Sequence, residues 1–177
     1  MKTDCQFILR DMLPDAFAFE PESHSSSDIW LNPHREFLPG HRYLVDAESG
    51  GGKSSLCGYL HGNRDDYSGS LIINGRDARR ISRADWTRLR RETIAYLPQD
   101  LGLFSSMTAW ENIQLKNRLT SHKSDTEIME MLDTVGLARL SDRLAGRLSI
   151  GQQQRVALVR ALCQPFSMLL LDEPVSH

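Results

Sequence analysis

The sequence predicts an α/β fold, and three stretches carry that prediction. A β-like run, Arg42-Tyr43-Leu44-Val45, leads into a glycine cluster and then a helix-compatible run at 53–60 that stops near Gly62. A continuous apolar run, Met168-Leu169-Leu170-Leu171, ends at Asp172 and suits a strand covered on both faces in a parallel sheet. Between them Ile128, Met131, Leu132 and Val135 fall at i, i+3, i+4 and i+7, which gives one apolar helix face.

The N-terminal part holds short β-like pieces: Gln6-Phe7-Ile8-Leu9, Ile29-Trp30-Leu31 and the run at 42–45. Loops rich in Ser, Pro and His separate them, notably 21–27, and Pro39-Gly40 marks a turn. Leu71-Ile72-Ile73 followed by Asn74-Gly75 predicts a strand and a tight turn. Residues 79–91 are arginine-rich and helix-compatible, and 93–97 is a short strand stopped by Pro98. Ser124 with Glu127 forms a capping box that starts the one-faced helix, and Gly136 suits its end. A further helix fits 152–163, stopped by Pro165. The sequence carries no internal repeat and no low-complexity tract.

The chain has 177 residues, enough for one ordinary core, with 40% apolar and 25% charged residues. A net charge of −2 gives no strong pull toward nucleic acid or anionic lipid. The arginines Arg76, Arg79, Arg80, Arg83, Arg88, Arg90 and Arg91 are interleaved with Asp77, Asp85 and Glu92, the pattern of a solvated helix face. Three scattered cysteines, Cys5, Cys57 and Cys163, form neither a disulfide frame nor a zinc site and suit a reducing, cytosolic compartment. No apolar run approaches the roughly 18 residues that span a bilayer. Residues 1–10 lack the basic and apolar regions of a signal peptide. Work at a membrane would therefore rely on another chain.

The most informative segment is Ala47-Glu48-Ser49-Gly50-Gly51-Gly52-Lys53-Ser54-Ser55, set between a predicted strand and a predicted helix. Its glycines let the backbone curl so that successive N–H groups face phosphate oxygens, and the helix N-terminus adds the positive end of its dipole. Lys53 can reach the β- and γ-phosphates of a nucleotide, and the Ser54 hydroxyl can ligate Mg²⁺. The motif begins with glycine in its usual form and with Ala47 here, so φ at 47 is expected to be negative.

Asp172 and Glu173 stand at the end of the apolar strand, where parallel sheets place their ligands. Asp172 can hold Mg²⁺ through water, and Glu173 can polarise a water for attack on the γ-phosphate. Two acids solvating a strand end is the plainer reading of the same pair.

Further segments resemble a known family. Leu148-Ser149-Ile150-Gly151-Gln152-Gln153-Gln154-Arg155 resembles the signature motif of ATP-binding cassette (ABC) ATPases, usually Leu-Ser-Gly-Gly-Gln. Tyr96-Leu97-Pro98-Gln99 resembles their Q-loop, and the order and spacing of all the motifs are similar to an ABC nucleotide-binding domain from about Phe7 to His177. The resemblance implies a P-loop NTPase (RecA-like) core with a mixed sheet, an N-terminal antiparallel β region and a small helical subdomain. It implies a core of 1–98 and 164–177 and a helical subdomain of 99–163.

By the same resemblance, ATP is held by Ser49, Gly50, Gly51, Gly52, Lys53, Ser54 and Ser55, and clamped from a second subunit by Ser149, Gly151 and Gln152. Mg²⁺ is held by Ser54, Gln99 and Asp172, and Glu173, Gln99 and Lys53 carry the chemistry. Adenine stacks on an aromatic of the β region; Phe17, Phe19 and Trp30 are candidates, Phe17 is preferred by spacing, and a core or surface aromatic is the ordinary reading of each. The implied partners are a second nucleotide-binding domain and a transmembrane permease, with no nucleic acid and no membrane span of its own. The implied location is the cytoplasmic face of the membrane. Leu103-Phe104-Ser105-Ser106-Met107-Thr108-Ala109-Trp110-Glu111-Asn112 looks like the corresponding segment of lipoprotein-releasing and macrolide-type exporters.

The sequence departs from the family pattern at Ile150, where a second glycine is usual, and after Glu173-Pro174-Val175-Ser176-His177. The D-loop aspartate, a further strand and the switch histidine have no counterpart, and His177 falls in the D-loop stretch. The Asp172 strand is expected to lose a neighbour and expose apolar surface, and residues 1–177 alone to be poorly stable. The implied function is the ATPase subunit of an ABC transporter. The alternatives are a nucleotide-binding but hydrolytically inactive module, and a soluble ABC protein acting on ribosomes or DNA.

Overall fold

The structure, a computed structural model, describes residues 5–19 and 27–174. The loop expected at 21–27 lies outside these residues but for its last one, as do Val175, Ser176, His177 and the first four residues. The chain packs as two units, 1–88 and 89–177.

The first unit is built on an antiparallel sheet of order β2-β1-β3-β4. Its strands are β1 (Phe7–Pro14), β2 (His34–Phe37), β3 (Tyr67–Ile73) and β4 (Arg76–Asp77). Alternation decides the register. Phe7 sits opposite Ile73 and Leu9 opposite Leu71, and all four are buried on one face. Helix α1 (Lys53–His61) contributes Leu56, Tyr59 and Leu60 to the interior, and Tyr59 meets Tyr67 edge-on at 5.2 Å. Asn74 (φ 50°) and Gly75 (φ 78°) form the expected tight turn between β3 and β4, both in the left-handed region that such two-residue hairpins need. Gly69 is fixed by contact as well as by its φ of 72°: an added Cβ would lie 2.1 Å from the Asp11 carbonyl at the irregularity in β1.

Two expected strands of this unit are absent. Ile29 and Trp30 lie in a turn, because Ser27 closes it locally: its Oγ accepts from the Trp30 N–H (3.1 Å) and its carbonyl from the Leu31 N–H (3.2 Å). The strand forms at His34–Phe37 instead. Residues 42–45 are irregular, with Leu44 94% exposed. A strand of the buried, parallel kind needs ladder partners and cover, and this stretch has neither among the described residues. The arginine-rich segment divides in two. Asp77 caps a 3-10 turn at Ala78–Arg80, and α2 (Arg83–Glu92) then runs across the boundary between the units with no buried residue. Its face is the solvated one expected: Asp85 meets Arg88 at 2.8 Å and Arg76 at 3.4 Å.

The second unit holds a parallel pair, β5 (Ile94–Leu97) and β6 (Met168–Leu171), with Ile94 opposite Met168 and Leu97 opposite Leu171. Three helices accompany it: α3 (Ala109–Asn117), α4 (Asp125–Thr134) and α5 (Ile150–Leu162). Their core joins Ile113, Ile128, Leu132, Leu137, Val156 and Val159. β6 is not sealed on both faces: Leu170 is buried but Leu171 is 41% exposed, and among the described residues β6 pairs with β5 alone. Helix α4 starts at the expected capping box, and α5 starts at Ile150 rather than 152 because Ser149 and Gln152 form another.

Candidate nucleotide-binding site

In the first unit the segment from Ala47 to Ser55 forms a turn that opens directly into α1. Gly50 (φ 84°) and Gly52 (φ 86°) are left-handed, which a side chain would resist. The Gly51 N–H closes the turn on the Glu48 carbonyl at 3.0 Å. Ala47 keeps a φ outside the left-handed region, as expected, and its methyl packs where a Cβ on Gly51 would come within 2.8 Å. Lys53 Nζ donates to the carbonyls of Ala47 (2.6 Å) and Glu48 (3.1 Å), so its ammonium is folded into the loop. Ser54 is exposed and Ser55 half-buried, both in the first turn of α1. Two left-handed glycines, a captured ammonium, two hydroxyls and a helix N-terminus are a set of donors that fits phosphate.

Two aromatics brace this loop. The Trp30 indole N–H donates to the Gly51 carbonyl at 3.2 Å, and Trp30 meets Phe17 edge-on at 6.1 Å. An added Cβ on Gly52 would meet Trp30 Nε1 at 2.9 Å and Phe17 Cζ at 3.0 Å. Phe17 thus stands beside the loop, but it is 9% exposed; stacking a base on it requires the ring to turn outward. Phe19 lies at the edge of the described residues, and its side chain is outside them.

In the second unit the ends of β5 and β6 bring Gln99, Asp172 and Glu173 together. The Asp172 N–H continues the ladder onto the Leu97 carbonyl at 3.0 Å. The Asp172 carboxylate is buried at 4% exposure and accepts from the Tyr96 hydroxyl at 3.4 Å. Gln99 Nε2 donates to Glu173 Oε2 at 2.9 Å, so the Gln99 carbonyl oxygen stays available as an acceptor or ligand. Glu173 has a φ of 48°, a strained backbone for a non-glycine residue and of a kind found at functional sites. Oxygen donors of this sort suit Mg²⁺, which takes one or two carboxylates and completes its shell with phosphates and water. Among the described residues no three His, Cys, Asp or Glu side chains gather as a protein cage for a metal.

Ser149 caps α5: its Oγ accepts from the Gln152 N–H (3.3 Å), and Gln152 Oε1 accepts from the Ser149 N–H (2.9 Å). Gly151 lies in the first turn with open space beside its Cα, and Ile150 is 70% exposed. At the other end of the same helix Arg160 donates to the carbonyls of Leu101 (2.5 Å) and Gly102 (2.6 Å). Burial pulls the guanidinium below its ordinary pKa, and Asp100 opposes that shift. The segment that follows Gln99 is therefore tied to the helix that the signature opens.

Residues 33–176 match the family described as ABC transporter. The chain belongs to that family. It is 33% identical to the lipoprotein-releasing system ATP-binding protein LolD of Novosphingobium aromaticivorans, over 85% of this chain and 68% of that protein. It is 38% identical to the methionine import ATP-binding protein MetN 1 of Rhodopseudomonas palustris, over 75% of this chain and 36% of that protein. The chain spans from 30% to 68% of the length of such curated relatives. Its fold is similar to that of the ATP-binding cassette MJ0796 in a dimeric structure bound to ADP and Pi: TM-score 0.66, 20% identity, 96% of this chain and 74% of that one covered.

Two residues, one in each unit, go beyond what the family motifs name. Arg160 lies in the middle of an apolar helix run, where its charge is the visible signal. Arg64 donates to the Ser55 hydroxyl at 2.8 Å from beyond the end of α1, a tertiary contact with no motif to announce it.

Proposed function

We propose that the chain is the ATP-binding and hydrolysing part of an ABC transporter subunit, acting with a second copy of the domain and a membrane permease on the cytoplasmic face. What supports this reading most is one observation: the loop of two left-handed glycines with Lys53 turned into it, in a member of this family. Residues Ser49 to Ser55 wrap the phosphates, and Lys53 exchanges its two loop carbonyls for phosphate oxygens. Phe17 turns outward to stack on the adenine. Mg²⁺, when bound, supplies a Lewis acid to the phosphates, and Ser54, Gln99 and Asp172 are the residues to hold it. Glu173, held by Gln99, accepts a proton from the attacking water. Ser149, Gly151 and Gln152 face the nucleotide of the partner copy. Residues 99–163 form a helical subdomain, and the flanking segments belong to the ATP-binding core. No helix among the described residues is long and apolar enough to cross a membrane.

The test is ATP turnover by the full-length protein. Glu173→Gln lowers turnover about 100-fold or more, the scale of a general base. Lys53→Ala weakens ATP binding about tenfold or more, the scale of a charged hydrogen bond. Unchanged turnover in both variants sinks the mechanism. A second reading, a nucleotide-binding module without turnover, is favoured by Ile150, whose exposed side chain stands where the family usually has glycine. It predicts ATP binding by the wild-type protein with no phosphate released.

A further inference from the structure

We propose that Arg64 is a positioning residue that sets the Ser55 hydroxyl as a hydrogen-bond donor toward a nucleotide phosphate; this rests on the nucleotide-binding reading above. Arg64 Nη1 lies 2.8 Å from Ser55 Oγ. A guanidinium can only donate, so this bond takes a lone pair of Oγ and leaves the Ser55 O–H as the outgoing donor. A donated charge-assisted bond also polarises that O–H and strengthens what it donates next.

The guanidinium is itself held in place. Arg64 Nε donates to Asp66 Oδ1 at 2.9 Å, and Nη2 donates to Asp66 Oδ2, a two-pronged pairing. Its carbon lies 5.2 Å from the centre of the Tyr59 ring, and the Tyr59 hydroxyl donates to the Asp66 carbonyl at 3.1 Å. One fork thus spans a carboxylate, a ring and a serine.

Gly58 supplies an independent observation. It sits inside α1, where glycine weakens a helix relative to alanine. An added Cβ there would meet Arg64 Cδ at 3.2 Å and Cγ at 3.3 Å. The helix carries a weakening residue at the point where the Arg64 stem crosses it on the way to Ser55. The Asp66 pairing pushes the arginine further above its ordinary pKa, and Asp66 falls below its own through the same bond, so both charges persist at neutral pH.

The experiment measures trinitrophenyl-ATP affinity and thermal midpoint of the full-length protein for Arg64→Ala, Arg64→Lys, Ser55→Ala and Ser55→Ala combined with Arg64→Ala. Loss of the Ser55 hydroxyl weakens binding about tenfold, and loss of its orientation about fivefold. Arg64→Lys behaves like Arg64→Ala, because an ammonium is a point charge that cannot span Asp66 and Ser55 together. In the Ser55→Ala background the Arg64→Ala effect disappears, a coupling that general loosening of the fold does not produce. Full affinity in Arg64→Lys, or an equal loss from Arg64→Ala in both backgrounds, overturns the inference and assigns Arg64 to charge or folding alone. If the wild-type protein does not bind the probe, the nucleotide reading itself fails and the inference with it. Wild-type binding with no Arg64 effect overturns only the inference.

Discussion

Gly52 carries two constraints at once. Its φ of 86° is open to glycine, and the volume where a Cβ would stand is taken by Trp30 and Phe17 at 2.9 and 3.0 Å. Gly50 shares the backbone constraint (φ 84°) but has no neighbour within 4 Å of that position. The pair separates strain from crowding. Gly50→Ala costs about 1–3 kcal/mol through the backbone alone, whereas Gly52→Ala costs more and disturbs the Trp30 bond to the loop. Urea unfolding of the two full-length variants checks this; equal losses would show that the aromatic brace does not fix the loop. The loop was legible in the sequence because a phosphate cradle demands glycines and a lysine at set positions. The brace was not, because Trp30 reaches Gly51 across 21 residues of sequence, and nothing local marks that contact.

Helix α4 shows what a sequence does make legible. The box of Ser124 and Glu127 starts it, and Ile128 and Leu132 are fully buried on its apolar face. Glu127 accepts from the Ser124 N–H (2.8 Å) and from Lys123 Nζ (3.0 Å), and these bonds, the backbone one first, hold its carboxyl down from 4.5 to about 2. A carboxylate depressed by folding stabilises fully above its unfolded pKa and loses that contribution as pH falls through its folded pKa. The stability gap between wild type and Glu127→Gln should therefore be constant above about pH 5 and close as pH falls from 4.5 toward 2. Urea unfolding across that range reads it, and a gap independent of pH would contradict the capping account.

Helix α3 opens with an equally good box, Thr108 and Glu111, yet its apolar period is hidden. Its buried positions include Asn112, Gln114 and Asn117. Asn112 accepts from the Phe104 N–H and donates to the carbonyls of Phe104, Met107 and Thr108, pinning the loop before the helix. Period counting fails where polar side chains do the work of a core through hydrogen bonds. The stretches at 29–31 and 42–45 fail in the opposite sense. They are apolar and β-prone, but pairing is decided by partners elsewhere in the chain, and Ser27 or exposure wins locally.

At the scale of the molecule, family and fold follow from motifs that stand in fixed order: the phosphate loop, Gln99, the Ser149 segment and Asp172-Glu173. Each end of that order is built by a different device. The loop is shaped by left-handed glycines and aromatic bracing, and the acids by a parallel strand pair with a strained Glu173. The Ser149 segment is a capped helix end with Gly151 open and Ile150 exposed, and the proposed function uses it as an outward anion site. The central claim is that this outward site completes the nucleotide site of a second copy. The most direct measurement is the sedimentation of full-length Glu173→Gln protein with Mg²⁺ and either ATP or ADP. The account predicts a doubling of mass with ATP, none with ADP, and none with ATP once Ser149→Arg or Lys53→Ala is added. A protein that stays monomeric at saturating ATP, or one whose dimer ignores both substitutions, would contradict it.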